Sequence, residues 1–160
     1  MASKLNEAIR NQLVASIDML ENAIKKCPQN QWNTDRRIWY NAYHCIFYID
    51  YYLTRDPQNF NPPDLFTLSE FKRIDPPRVY NKEELLSYLK FCRAKAKSIL
   101  ENIDQIGLLE DWKKEKAIKN YSFLEIILYN LRHIQHHAAQ INTWLRIEID
   151  DAPDWIARGK

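Results

Sequence analysis

Leu5, Ile9, Leu13, Ile17, Leu20 and Ile24 recur three and four residues apart with charged residues between them. That spacing predicts an amphipathic helix from Ser3 to Lys26. Pro28 and the polar run from Gln29 to Asn33 end it, and Thr34 or Asp35 is placed to cap a second helix from Arg36 to Thr54. A third stripe, Leu85, Tyr88, Leu89, Cys92, Ala96, Ile99 and Ile103, follows Asn81 and Glu84, the spacing of a capping box, and predicts a helix ending near Gly107. After a lysine-rich stretch around Trp112, Ser122 and Glu125 repeat the capping signature and open a fourth helix running to Glu148.

Between the second and third helices, from Asp56 to Tyr80, the chain carries five prolines, Pro57, Pro62, Pro63, Pro76 and Pro77. They remove backbone donors and hold their neighbours extended. The same stretch contains Phe60, Leu65, Phe66, Leu68, Phe71 and Val79, too much apolar surface for a tether, so it is expected to pack across the helices. The fold class is therefore all-α: one domain over residues 1–160, a four-helix bundle with a long crossover between helices two and three.

Composition narrows the functional classes. Twenty-three basic residues against twenty-one acidic ones leave a formal charge of +2 and no basic stripe, which argues against a nucleic-acid partner. The N-terminus lacks a basic segment followed by an apolar run, and no later segment reaches bilayer-spanning length, so the expectation is a cytoplasmic protein without a membrane partner. Cys27, Cys45 and Cys92 are odd in number and widely spaced, suggesting neither disulfides nor a zinc knuckle. Cys45, although next to His44, is read as a small buried hydrophobe because adjacent helical residues point about 100° apart.

Two of the helices are apolar on both sides. On a helical wheel the second places Ile38, Ala42, Ile46, Ile49 and Leu53 on one face and Tyr40, His44, Phe47, Tyr48 and Tyr51 on the other, with Asp50 the only charge between Ile38 and Leu53. The fourth divides Leu124, Ile127, Leu131, Ala138 and Leu145 from Ile126, Tyr129, Asn130, His133, His137, Gln140 and Trp144. An exposed face collects Lys, Glu and Arg, so faces of tyrosine, amide and histidine are expected to be enclosed. The aliphatic faces opposite them call for a cover: a second copy of the chain in a helix-face homodimer, or the crossover.

If the two polar faces meet, His44 approaches His133 and His137, which project from one side of a helix a turn apart. Three neutral imidazoles suit a borderline divalent ion such as zinc, nickel or iron and leave positions open for water or substrate. His136 falls about 100° away and is expected to point elsewhere. Tyr48, Tyr51, Asn130 and Gln140 are the candidate pocket-lining residues. Neither histidine face carries an obvious carboxylate, since Asp50 and Glu125 lie off it. Helical histidines four apart also occur simply as satisfied core or surface groups, so spacing leaves metal and no metal both open.

The run Leu131-Arg-His-Ile-Gln-His-His-Ala-Ala-Gln-Ile141 resembles the signature of the DinB-like superfamily, a His-x-x-x-His pair followed by Gln-Ile on the last bundle helix. His44, within Ala42-Tyr-His-Cys-Ile-Phe-Tyr48, matches the first histidine of that family, and the tail Pro153-Asp-Trp-Ile156 is of the kind that follows the last helix. The resemblance covers essentially the whole chain. It implies a divalent metal on His44, His133 and His137, and an activity that is either thiol-dependent transfer, with a low-molecular-weight thiol activated at the metal, or hydrolysis, on a small molecule it does not name. The alternative is a non-catalytic protein in which the ion braces the helices. No nucleotide-binding glycine loop or serine nucleophile elbow is present to choose otherwise.

Overall fold

The computed structural model describes residues 4–112 and 121–159. The start expected at Ser3 and the lysine-rich stretch beyond Trp112 lie outside the described residues. The protein is mostly helical, with four long helices, α1 (Lys4–Lys26), α3 (Ile38–Tyr52), α5 (Lys82–Asn102) and α7 (Phe123–Ile149). Three short α-helices lie between them, α2 (Gln29–Trp32), α4 (Ser69–Lys72) and α6 (Gln105–Leu109), with one 3-10 turn at Pro57–Asn59. A two-residue antiparallel pair, β1 (Asp111–Trp112) and β2 (Tyr121–Ser122), precedes α7. Among the described residues no helix is long and apolar enough to cross a membrane.

α1 packs on α5 and α7, and α3 packs on the same two. Leu13, Ile17, Leu20 and Ile24 of α1 are fully buried, as are Ala42, Ile46 and Ile49 of α3 and Leu53 at its C-terminal cap. Each such leucine or isoleucine contributes about 1.5–3 kcal/mol when removed from water. On α7, Ile127, Ala138 and Leu145 are buried too. These buried positions are covered by neighbouring helices of the same chain, whereas Leu124 and Leu131 on the same face of α7 are only partly buried.

What the crossover covers is the aromatic side of α3. Phe66 stacks on Tyr43 (6.2 Å between ring centroids) and on Tyr88 of α5 (4.4 Å). Phe60 and Phe71 meet Phe47 and Tyr51 at 4.9 to 5.3 Å. Leu65, Phe71 and Val79 nonetheless remain largely exposed at their outer edges. The far end is fastened to α2, where the buried Trp32 donates from Nε1 to the carbonyl of Tyr80 (2.9 Å).

The helix starts follow side-chain chemistry in two cases and depart from it in one. Asn81 and Glu84 form a complete capping box, and the Ser122 hydroxyl accepts from the Glu125 amide (3.2 Å). α3, however, is capped by neither Thr34 nor Asp35. It begins at Ile38 behind Arg37, a left-handed residue (φ 50°) held by Asp75 (2.7 Å) and lying over the Tyr40 ring. The Thr34 hydroxyl faces the Arg36 amide (3.4 Å), inside the turn that α2 creates. α5 likewise stops at Asn102, short of Gly107. Asp104 starts α6 by accepting from the Gly107 amide (2.7 Å), while the Asn6 amide binds the carbonyls of Leu100 (3.2 Å) and Ile103 (2.6 Å) and so closes the end of α5.

Past α7 the chain turns at Asp150 and runs back along α1, joined by Lys26 with Asp151, Gln12 with the Ala157 carbonyl, and Glu7 with Arg158.

Candidate metal centre

α3 contributes His44 and α7 contributes His133 and His137, which stand one turn apart on one side of that helix. The faces carrying them meet because α3 and α7 pack together along the aliphatic residues beside them. Among the described residues the three offer ligand atoms that all lie within 4.8 Å of one another. Ring centroids are 4.5 Å apart for His133 and His137, 4.9 Å for His44 and His137, and 5.5 Å for His44 and His133.

One separation tests whether an ion fits. Nε2 of His44 and Nε2 of His133 face each other at 3.5 Å. Two imidazole nitrogens bound tetrahedrally at about 2.0–2.1 Å stand roughly 3.4 Å apart, so the pair needs almost no rearrangement to share one ion. The proton inventory agrees. Burial, then the neighbouring His137 and His44, push His133 down to about 3; burial, then His44 and His136, push His137 down to about 4. Both rings are therefore neutral at neutral pH, with a lone pair free for a cation.

His44 is oriented by a residue that sequence reasoning missed. Its Nδ1 lies 2.7 Å from Oε2 of Glu70 on α4, whose side chain is only 4% exposed. The proton on that edge belongs to Nδ1, which donates to the carboxylate and leaves Nε2 facing His133. The loop that brings Glu70 in is pinned by Tyr43, whose hydroxyl lies 3.0 Å from the Thr67 carbonyl and 3.1 Å from the Ser69 hydroxyl. The expectation that no carboxylate serves the histidines thus holds for α3 and α7 alone. Asp50 is buried against Lys95 and Tyr88 elsewhere, Glu125 is exposed, and the acid arrives from the crossover. The signal available was a glutamate set among Phe66, Leu68 and Phe71 in a segment that had to pack; helical periodicity carries no information about where such a loop lands.

The four expected lining residues divide. Tyr48 stands 4.9 Å from the His44 ring and 5.8 Å from His133, its hydroxyl pushed up by burial and then by the Glu70 charge. Gln140 lies beside His137, raises its proton affinity slightly against the effect of burial, and accepts from the Asn41 amide (2.9 Å). Tyr51 is buried one turn along α3, packed on Phe60, Phe71 and Trp112. Asn130 is fully buried and donates to the Ile49 carbonyl (3.2 Å), tying α7 to α3. Tyr52, not foreseen, brings its ring to 6.0 Å from His133. His136 is exposed and outside the three-histidine group. Cys27, Cys45 and Cys92 are free and buried, and burial pushes the Cys45 thiol far above its ordinary range.

A model of the DinB superfamily matches residues 12–141, a span that holds all three histidines and Glu70, and the chain belongs to that superfamily. No curated protein and no solved structure matches it.

Proposed function

We propose that this chain is a metal-dependent enzyme: a four-helix bundle with a long crossover that holds one divalent ion, zinc, nickel or iron, on His44, His133 and His137. It acts on a small molecule, as a thiol-dependent transferase or as a hydrolase. The observation that carries the reading is the pair of Nε2 atoms at 3.5 Å, with the third histidine beside them. Among the described residues the three imidazoles have no fourth protein donor in the group, which favours a catalytic over a closed structural site. A divalent ion there would lower the pKa of a coordinated water or thiol and polarise a substrate oxygen.

The residues around it have separable tasks. Glu70 holds the His44 tautomer and orientation, and its negative charge offsets part of the ion's. Tyr48 and Tyr52 supply an aromatic wall against the His133 ring, limiting water on that side. Gln140, fixed by Asn41, steadies His137.

Elemental analysis of protein purified without a histidine tag tests the metal directly, with about one ion per chain expected. His44→Ala and His137→Ala should each lose it. Protein that contains no metal, with the same thermal stability in both variants as in the parent, would sink the site. Cobalt-substituted protein then separates the reactions: a changed d–d spectrum on adding glutathione, coenzyme A, bacillithiol or mycothiol supports thiol transfer, and an unchanged one leaves hydrolysis.

A further inference from the structure

Ten arginines lie among the described residues, and seven of them pair with a carboxylate. Arg73, Arg132 and Arg146 have no carboxylate partner among those residues. Two of the three border the histidine cluster. Arg132 immediately precedes His133 on α7, with its guanidinium 5.7 Å from the Tyr129 ring. Arg73 ends α4 three residues after Glu70, in a left-handed conformation (φ 55°), and its charge reaches the Tyr48 hydroxyl, opposing the larger effects of burial and Glu70.

Arg132 and His133 also share a cavity. A groove of about 340 Å³ is lined, among the described residues, by Tyr129, Arg132, His133 and His136, none of which is a carboxylate. One wall is a member of the three-histidine group. The others are a guanidinium, an imidazole and a phenol, all of which can donate to an anionic oxygen. The volume is at the small end of small-molecule sites. A divalent ion on the histidines, beside the Arg132 guanidinium, would make this mouth electropositive, and Glu70, hydrogen-bonded to His44, would cancel only part of that charge.

We infer that the substrate is a small anion, with a carboxylate or phosphate seated by Arg132 and His136 in this groove while its other end is presented to the histidines. The inference rests on the metal reading above. Planar, bidentate recognition is what an arginine with no carboxylate partner among the described residues offers such a group. The charge also brings the anion in at distances where a neutral molecule feels nothing, an effect that weakens as salt is added.

The test uses cobalt-loaded full-length protein and four thiols of one chain length: 3-mercaptopropionate, 3-mercaptopropylphosphonate, 3-mercaptopropanol and 3-aminopropanethiol. Binding is read from the cobalt spectrum. At least one anionic thiol should bind on the order of tenfold more tightly than the alcohol, the amine least tightly, and the tighter anion identifies the group recognised. Arg132→Gln should remove most of that preference and Arg132→Glu should reverse it, with cobalt content unchanged. Arg146→Gln, the unpaired arginine away from the groove, should leave the order intact. Cobalt bound with a flat charge order, an order unmoved in Arg132→Gln, or no response to any thiol overturns the inference and leaves the metal site standing. Failure to bind cobalt overturns both.

Discussion

Nδ1 of His44 and Oε2 of Glu70, on segments 26 residues apart, meet at 2.7 Å, the carboxylate buried and the imidazole partly open to solvent. The bond joins the crossover to the histidine cluster, so that the ligand geometry on α3 depends on a loop. Partners of this kind hold a metal-binding imidazole in one tautomer and raise its basicity, and their loss typically costs 10–100-fold in affinity.

Glu70→Ala is therefore expected to lower metal affinity by about 10–100-fold, measured by competition with a chromophoric chelator. Glu70→Gln keeps an acceptor but not the charge and should fall between Ala and the parent. Nitrogen-15 spectra of the metal-free protein supply an independent readout: His44 should carry its proton on Nδ1 in the parent and lose that preference in Glu70→Ala. Parent-like affinity in both variants would reduce Glu70 to a packing residue.

The metal-free protein should become less stable as the pH falls from about 6.5 towards 4. His133 and His137 have folded values of about 3 and about 4 against an ordinary 6.5. Between those limits the unfolded chain binds more protons than the folded one, so stability rises with pH across the window and is flat, from these two groups, above it. Thermal melts of chelator-stripped protein at pH 7, 6 and 5 should show the slope. His133→Gln, which cannot take up the proton, should reduce it. An equal slope in that variant would place the acid sensitivity elsewhere.

Much of this site was legible before any coordinates, and what was not has a common cause. The histidine pair at four-residue spacing, the uncharged aromatic faces of α3 and α7, and the caps at Asn81 and Ser122 are local patterns, and each appears where its spacing puts it. The omissions are all tertiary. Glu70 reaches His44 only through the path of the crossover. Tyr51 shares a wheel face with His44 but points into the layer that Phe60 and Phe71 build. Arg37 starts α3 because Asp75 and Tyr40 hold it, at a position where sequence alone favours Thr34 or Asp35.

Asp50, the only charge within α3, should matter for stability and not for metal. Its carboxylate is 1% exposed, accepts from the Tyr88 hydroxyl (2.9 Å) and pairs with Lys95 (2.6 Å). Removing one member of a buried pair costs about 3–5 kcal/mol, and the low end applies because Lys95 is itself a quarter exposed. Asp50→Ala should thus lower stability by about 3 kcal/mol in urea titration while cobalt still binds one per chain. Loss of the metal with unchanged stability would reverse the assignment.

Gly159 is expected to be the residue that lets the tail lie on α1. Its amide donates to the Asn11 carbonyl (3.0 Å), and a Cβ there would stand 2.6 Å from both the Ala15 nitrogen and Val14 Cβ. Neither can yield, because one is helix backbone and the other is rooted on it. Gly159→Val should therefore lift the end of the tail and weaken the contacts that follow from it, Arg158 with Glu7 and the Ala157 carbonyl with Gln12. The loss should be modest, about 1–2 kcal/mol, since those contacts are exposed. Limited trypsin digestion provides the sharper measure: cleavage after Arg158 should speed up in Gly159→Val, while Glu7→Gln, which removes one surface pair and keeps the close approach, should be cut at nearly the parental rate. Equal protection in Gly159→Val would mean that the tail is held by Ile156 on Met19 and the core behind it, independently of the glycine.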